Sequence, residues 1–198
     1  MKRIAHLSRM TVAALAISTV LSLTLWTPVS AQIVPPNRNA VNFSAAFFSG
    51  SPVWQLGFSY GITRTLDFTA FWSYQSASGA TGNLVDAGVR YHFPIPTPGA
   101  DLFVGAGIAN ISGSSPGFGA VSSTGLSIGG GGSLHLAPTV TAYLSGGIFA
   151  FSGSSNSIVD LGLQMTLAPR LAGQIGWIDY AGSSAGYVGL TLFFPGIY

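Results

Sequence analysis

The feature that most constrains the fold is a strict two-residue alternation between Val53 and Gln75. One face of its first half carries large apolar residues: Trp54, Leu56, Phe58 and Tyr60. The other face is small and polar: Gln55, Gly57, Ser59 and Gly61. After a short turn the same alternation runs on through Leu66, Phe68, Ala70, Trp72 and Tyr74. A period of two predicts β-strands. Because the second face is small rather than charged, we expect the apolar face to point outward, as in a barrel strand in lipid.

Charge is scarce along the whole chain, and this decides between soluble and membrane classes. Only 6% of the residues are charged, against about 25% in ordinary globular domains, which is too few to cover a soluble surface. No apolar run is long enough for a spanning helix. The sequence therefore predicts an all-β, transmembrane, antiparallel up-and-down β-barrel. The alternative, a soluble β-sandwich with core aromatic residues, leaves the missing surface charge unexplained.

The N-terminal segment, residues 1–31, reads as a secretory signal peptide. It has a basic start (Lys2, Arg3 and Arg9), an apolar stretch from Val12 to Trp26, and small residues before Gln32. An uncleaved anchor helix is the alternative. We expect residues 32–39 to form a lead and residues 40–198 the barrel, which places the protein in a bacterial outer membrane after export.

Without that segment the chain has four arginines and five aspartates, a formal charge of −1. Nothing in this balance indicates a nucleic-acid partner. The absence of cysteine excludes disulfides and thiol chemistry.

Ten strand candidates follow the lead. They are residues 40–48, 53–62, 65–75, 84–93, 101–111, 123–136, 139–151, 157–167, 170–179 and 186–194. Eight strands are the alternative if the weaker segments, 40–48 or 170–179, are irregular.

The connections alternate between two kinds. One set is rich in Ser and Gly: residues 49–51, 76–83, 112–122, 152–155 and 181–185. The other is tight and often contains Pro: residues 63–64, 94–99, 137–138 and 168–169. Outer-membrane barrels have long outer loops and short periplasmic turns. We therefore expect the first set outside and the second set on the periplasmic side.

This topology places aromatic residues at both ends of the strands. Trp54, Trp72, Tyr74 and Trp177 would lie near the outer ends, and Tyr60, Tyr91, Phe93 and Phe194 near the periplasmic ends. Two aromatic girdles are typical of a barrel that crosses a bilayer.

The last strand resembles the C-terminal signal that the barrel-assembly machinery reads in bacterial outer-membrane proteins. Tyr187, Gly189, Leu192 and Phe194 carry the resemblance. The family signal usually ends the chain on an aromatic residue, whereas four residues follow Phe194 here. The mature chain resembles the small, porin-like outer-membrane β-barrel class. That resemblance implies outer-membrane lipid and the assembly machinery as partners.

No catalytic residues, metal ligands or cofactors are predicted. His92 and His135 are expected near periplasmic turns, far from the outer rim where enzymes of this class work. Two matches to the G-x-S-x-G pattern, at 125–129 and 182–186, lack the strand–turn–helix context of a nucleophile elbow. We therefore expect a protein that is not an enzyme.

The lumen face supplies the candidate functional residues. Arg90, Asp67, Asp86, Asp160 and Gln164 point inward by parity and are the candidates for a constriction. They would line either a narrow porin-like channel for small solutes or a closed structural barrel. A surface-displayed barrel that binds or adheres through its outer loops, mainly 112–122, is the alternative function.

The outward face carries a second candidate surface. Gly130, Gly132 and Gly146 make part of this face small, which indicates either a homo-oligomer contact or glycines that ease strand curvature.

Overall fold

The computed structural model describes residues 38–48, 51–117 and 119–195. They form ten strands: β1 (Arg38–Phe48), β2 (Ser51–Gly61), β3 (Leu66–Ala77), β4 (Ala80–His92), β5 (Ala100–Ser115), β6 (Gly119–Ala137), β7 (Val140–Phe151), β8 (Ser154–Ala168), β9 (Leu171–Tyr180) and β10 (Ser183–Pro195). Each strand pairs antiparallel with its neighbours in sequence, and β1 pairs with β10, so the sheet closes. The ten-stranded up-and-down barrel is confirmed. The eight-stranded alternative is wrong, because both weaker segments are strands, β1 and β9.

The domain boundaries can be compared only in part. The predicted signal peptide, residues 1–31, and most of the lead lie outside the described residues. Arg38 and Asn39, placed in the lead, already belong to β1, where Asn39 pairs with Phe194. None of the described residues forms a helix that is long and apolar enough to cross a membrane.

The two ends of the barrel differ in what they carry. The proximal end holds both ends of the described chain, Arg38 and Pro195, and the connections 62–65, 93–99, 138–139 and 169–170. The distal end holds the connections 49–50, 78–79, 116–118, 152–153 and 181–182.

The Ser/Gly-rich connections predicted at 76–83 and 112–122 are mostly strand. Most of their residues continue the strands, and short turns remain at 78–79 and 116–117. Hydroxyl and amide side chains bond to these extensions across the sheet. Thr81 Oγ1 and Ser114 Oγ are 2.9 Å apart, and Asn110 Nδ2 donates to Ser122 Oγ at 3.3 Å. The longest connection, 93–99, is at the proximal end, so loop length does not distinguish the ends.

The stagger of the strands sets the width of the barrel. Directly paired residues, followed once around from Asp101 through β6 to β10 and β1 to β4, return to β5 at Gly113, a shift of 12 residues. With strands about 4.8 Å apart and a rise of about 3.3 Å per residue, this shear gives a tilt of roughly 40° and a backbone radius of about 10 Å. Only large side chains reach the axis of such a barrel.

The alternation of side chains puts apolar groups outside, as predicted. Leucine, valine, isoleucine and aromatic residues on the outer wall are exposed, and Ile108, Leu144 and Leu190 are half or more exposed. Side chains of the opposite parity face the lumen, and most of them are buried.

Candidate functional site: the lumen of the barrel

All five predicted lumen residues face inward. Arg90, Asp67, Asp86, Asp160 and Gln164 are between 1% and 7% exposed. They do not form one constriction, however. The structure brings Arg90 and Asp67 together near the proximal end, while Asp86 and Asp160 lie on separate walls, on β4 and β8.

The proximal end holds a compact charge cluster. The Arg90 guanidinium donates to Asp67 Oδ2 at 3.3 Å and to Ser59 Oγ at 3.0 Å. Its central carbon lies 5.1 Å from the centre of the Phe103 ring, within the range of a cation–π interaction. Asp67 comes from the strand beside Arg90, and the two residues are directly paired in the ladder.

His92 extends this cluster to a second carboxylate, a contact that the sequence did not indicate. Its Nε2 is 2.8 Å from Asp67 Oδ2, and its Nδ1 is 3.0 Å from both oxygens of Asp101. Both ring nitrogens can donate at once only when the ring carries two protons. In that form the charges of Arg90 and His92 balance those of Asp67 and Asp101.

A chain of hydroxyl groups lies on the opposite wall of the lumen. Tyr187 donates to Asp160 Oδ1 at 2.9 Å and also hydrogen-bonds the hydroxyl of Tyr143. Tyr187 belongs to the predicted assembly signal, and here its side chain is buried in the lumen.

Glycines beside these tyrosines explain how the rings fit. Tyr143 pairs directly with Gly162, and Tyr187 with Gly176. A Cβ at Gly162 would lie 2.6 Å from the Tyr143 hydroxyl oxygen, and one at Gly176 would lie 2.5 Å from that of Tyr187. The absence of a side chain therefore lets each ring lie along the wall and reach toward the axis.

Smaller polar pairs occupy the rest of this region. Asn42 donates to Gln174 Oε1 at 2.6 Å and to Thr191 Oγ1 at 3.1 Å. Ser44 donates to Gln55 Oε1 at 2.8 Å. These hydrogen bonds stabilise the interior, because a buried polar atom without a partner is costly; the Nε2 of Gln55 has no partner among the described residues.

The distal part of the lumen is largely apolar, although Ser73 and Gln75 are also buried there, and the sequence analysis missed it. One contacting cluster includes inward side chains from eight strands: Phe48, Val53, Leu84, Ile111, Phe149, Phe151, Ile158, Ile178, Tyr180 and Ala185. The alternation along each strand already places these side chains on the inward face. Leu84 shares the face of Asp86 and Arg90, and Ile158 shares that of Asp160. We call this set the distal plug.

The eight predicted girdle residues lie in two groups on the outer wall. Trp54, Trp72, Tyr74 and Trp177 are in the distal half, and Tyr60, Tyr91, Phe93 and Phe194 are at the proximal end. The three tryptophans, Tyr91, Phe93 and Phe194 are exposed, and Tyr60 and Tyr74 are half-buried. Their role at a membrane interface stays a prediction, as does the assembly role of Tyr187, Gly189, Leu192 and Phe194.

The small residues of the outer wall form a groove. Gly130, Gly132, Ala142 and Gly146 line it, between the leucine and valine side chains of β5 and β7, and its volume is about 930 Å³. A Cβ at Gly130 or Gly132 would lie 2.9 or 2.8 Å from a carbonyl oxygen of β5. The close approach of the strands is enough to explain both glycines, so no partner protein is needed to account for them. This favours the interpretation that these glycines ease strand curvature.

Within the described residues, neither His92 nor His135 nor either serine pattern forms a recognisable catalytic or metal site. His135 Nδ1 lies 2.8 Å from the carbonyl oxygen of Gly99, apart from the His92 cluster. Ser127 donates to Asp86, and Ser184 to Asp179, each at 2.8 Å, and no helix follows either serine in the described chain. In the same part of the chain, no group of three or more histidine or acidic side chains is arranged to hold a metal ion.

Comparisons with known proteins add similar folds at low identity. No family model matches the chain, and no curated protein matches it. A de novo designed transmembrane β-barrel is 11% identical, with 80% of this chain and 97% of that chain covered and a TM-score of 0.49. The N-terminal barrel domain of Pseudomonas aeruginosa OprF is 17% identical (80% and 98% covered, TM-score 0.48), and the KdgM porin is 9% identical (78% and 99% covered, TM-score 0.48). These are membrane β-barrels, the class that the sequence resembles.

Proposed function

We propose that the chain is a non-enzymatic outer-membrane β-barrel with a structural role, and that its lumen is closed rather than a pore for solutes. The observation that carries this proposal is the burial of the inward side chains. At the proximal end the Arg90–Asp67 pair is 1% and 3% exposed. At the distal end Phe149 and Tyr180 are each 1% exposed.

The outer wall supports the membrane part of the proposal. A soluble protein rarely exposes a continuous apolar surface, whereas here large apolar residues are exposed on all ten strands. Charged side chains of the described chain lie in the lumen, in the turns or at strand ends. An exterior of this kind matches the hydrocarbon of a bilayer.

The lumen supports the structural part. A continuous water-filled channel would leave the inward side chains accessible, as in wide porins. Here the charge cluster fills one level and the distal plug fills another. The neutral balance of the charge cluster also argues against a selective constriction, since rings of a single charge sign set ion selectivity.

The binding alternative has little surface to use. The segment 112–122, its main candidate, is a hairpin of β5 and β6 with a turn at 116–118. The outer side of this hairpin carries hydroxyl and amide groups that bond each other, such as Asn110 with Ser122 and Thr124.

Conductance in planar bilayers tests the closed lumen. Flotation with vesicles controls for insertion, and a shift on a gel upon heating controls for folding. We expect no single-channel steps from protein that passes both controls. Reproducible steps from the folded wild type would refute the closed lumen. If their ion selectivity also changes in Arg90→Ala, the channel alternative replaces this proposal.

Fractionation of the cells that produce the protein tests its location. We expect the protein to sediment with outer membranes after export, with outer-membrane lipid and the barrel-assembly machinery as its partners. Recovery from the soluble periplasm in a folded state would contradict the membrane part of the proposal.

A further inference from the structure

The hairpin of β5 and β6 is longer than the strands beside it, which leaves part of β6 paired on one side only. The β6–β7 ladder ends at Gly125, which pairs with Phe151, the last residue of β7. Residues 119–124 therefore pair with β5 but not with β7. Within the described chain, no other backbone group bonds to them from that side. We call residues 119–124 the free edge of β6.

The register shows which backbone groups this edge presents. In an antiparallel ladder, the N–H and C=O of one residue point to one side, and those of the next residue point to the other. His135 donates its N–H to the carbonyl oxygen of Gly99, just before β5, and the β5–β6 register continues without a shift. Residues at even positions of β6 therefore turn their N–H and C=O away from β5. On the free edge these residues are Ala120, Ser122 and Thr124.

The free edge lacks the features that usually prevent further pairing. Natural edge strands are protected by charged side chains, proline, bulges or a covering element. Residues 119–124 contain no charge and no proline, and all except Ser123 are exposed.

Side-chain hydrogen bonds hold this edge in place. Asn110 of β5 donates to Ser122 Oγ at 3.3 Å and to Thr124 Oγ1 at 2.9 Å. These bonds use the side chains of the hairpin and leave its outer backbone groups unused. The edge is thus a preformed template, and a strand that binds it orders few groups of the barrel.

We propose that the free edge of β6 binds an extended segment of another polypeptide, which adds an antiparallel strand along the line of β7. Main-chain hydrogen bonds supply the affinity in strand addition, and an extended chain presents N–H and C=O groups at the matching spacing. The side chains of the edge are small and uncharged. The segment that fits is therefore uncharged and rich in β-branched residues, which favour extended backbone.

A second copy of this chain does not fit the edge. Two barrels with the same orientation in one bilayer, as proposed above, are related by a rotation about the membrane normal. Because the strands tilt by roughly 40°, two free edges that face each other cross at roughly 80°. Neighbouring strands of a sheet are rotated by only about 20–25°, so the two edges cannot form a ladder. The ends of the described chain, Arg38 and Pro195, lie at the proximal end, away from this edge.

Peptide binding tests the edge. The probe is a capped, fluorophore-labelled peptide of alternating Thr and Val, as long as the free edge. It is titrated against the folded barrel in phosphatidylcholine vesicles and followed by anisotropy, with empty vesicles as the baseline. The control peptide has the same sequence with every backbone nitrogen methylated, which removes its N–H donors. We expect saturable binding of the probe, and binding of the methylated peptide that is weaker by about tenfold or more.

Ser122→Pro removes the central N–H of the free edge. Since this N–H points away from β5, the β5–β6 ladder stays intact, and the shift on a gel upon heating checks that the variant folds. Ser122→Ala is the matched control, because it also loses the hydroxyl that accepts from Asn110 but keeps the N–H. We expect probe binding about tenfold weaker in Ser122→Pro than in Ser122→Ala.

Three results would overturn the proposal: no wild-type binding of the probe up to millimolar concentration, equal binding of the methylated peptide, or equal binding by the two Ser122 variants. If Ser122→Pro does not fold, the methylated peptide decides the question. The conductance and fractionation tests of the proposed function are independent of each of these results.

Discussion

Replacing Arg90 by methionine tests whether the charge cluster stabilises the barrel. The guanidinium is 1% exposed and donates to Asp67 and Ser59. Methionine keeps most of the apolar stem, so the main loss is the positive charge with its hydrogen bonds, among them those to Asp67 and Ser59. Asp67 would remain buried with His92 as its remaining charged partner. Breaking a buried ion pair by removing one partner costs about 3–5 kcal/mol, and we expect a loss of that size.

The measurement is urea unfolding of the barrel in lipid vesicles, followed by the fluorescence of Trp54, Trp72 and Trp177. Arg64→Met is the matched control, because Arg64 lies exposed in the 62–65 connection. Changes at such a position are usually within about 0.5 kcal/mol.

A double-mutant cycle separates the ion pair from the packing. In Asp67→Asn a neutral carboxamide replaces the carboxylate, so adding Arg90→Met should cost less than in the wild type. We expect a coupling energy of about 0.5–3 kcal/mol, as for residues in direct contact. Additive effects, or an Arg90→Met loss no larger than that of Arg64→Met, would show that the cluster does not stabilise the fold.

Three further substitutions test the walls. Gly176→Ala should destabilise by about 1–3 kcal/mol, because its Cβ would lie 2.5 Å from the hydroxyl oxygen of Tyr187, whereas Gly186→Ala, whose nearest atom is 3.9 Å away, should be almost neutral. Leu190→Lys, on the outer wall, should cost about 2–4 kcal/mol in vesicles if this residue faces the bilayer interior, and an unchanged unfolding free energy would contradict that placement. For self-association through the groove, Ala142→Cys should crosslink in vesicles while Leu190→Cys on another wall should not; monomer at every protein density would exclude the contact.

The strands were predictable because their signal is local. The period of two and the low charge identify all ten strands and the outward apolar face. The ends of the strands were not predictable, since Ser, Gly and Asn suit both turns and extended backbone. In 112–122 the pairing of Thr81 with Ser114, and of Ser112 with Ser122, extends the ladder where composition indicated a loop.

For the candidate site, the sequence predicts only which side chains share the inward face of the barrel. The alternation of side chains along each strand correctly predicts that Arg90, Asp67 and Asp160 face inward. It does not show which inward side chains contact each other. That depends on the register between strands and on the shear, neither of which can be read from one strand alone. The contact of His92 with both Asp67 and Asp101 joins three strands, so no spacing in the sequence reveals it.

Shear and glycine placement together explain why this lumen is closed. A backbone radius of about 10 Å leaves a wide interior, which small polar residues alone would not fill. Large side chains fill it, and several lie over glycines on the next strand: Tyr143 over Gly162, Tyr187 over Gly176, and Phe103 over Gly131. Gly162, Gly176 and Gly131 thus provide the space that the facing rings occupy. Glycine content on the lumen face therefore does not by itself indicate an open channel.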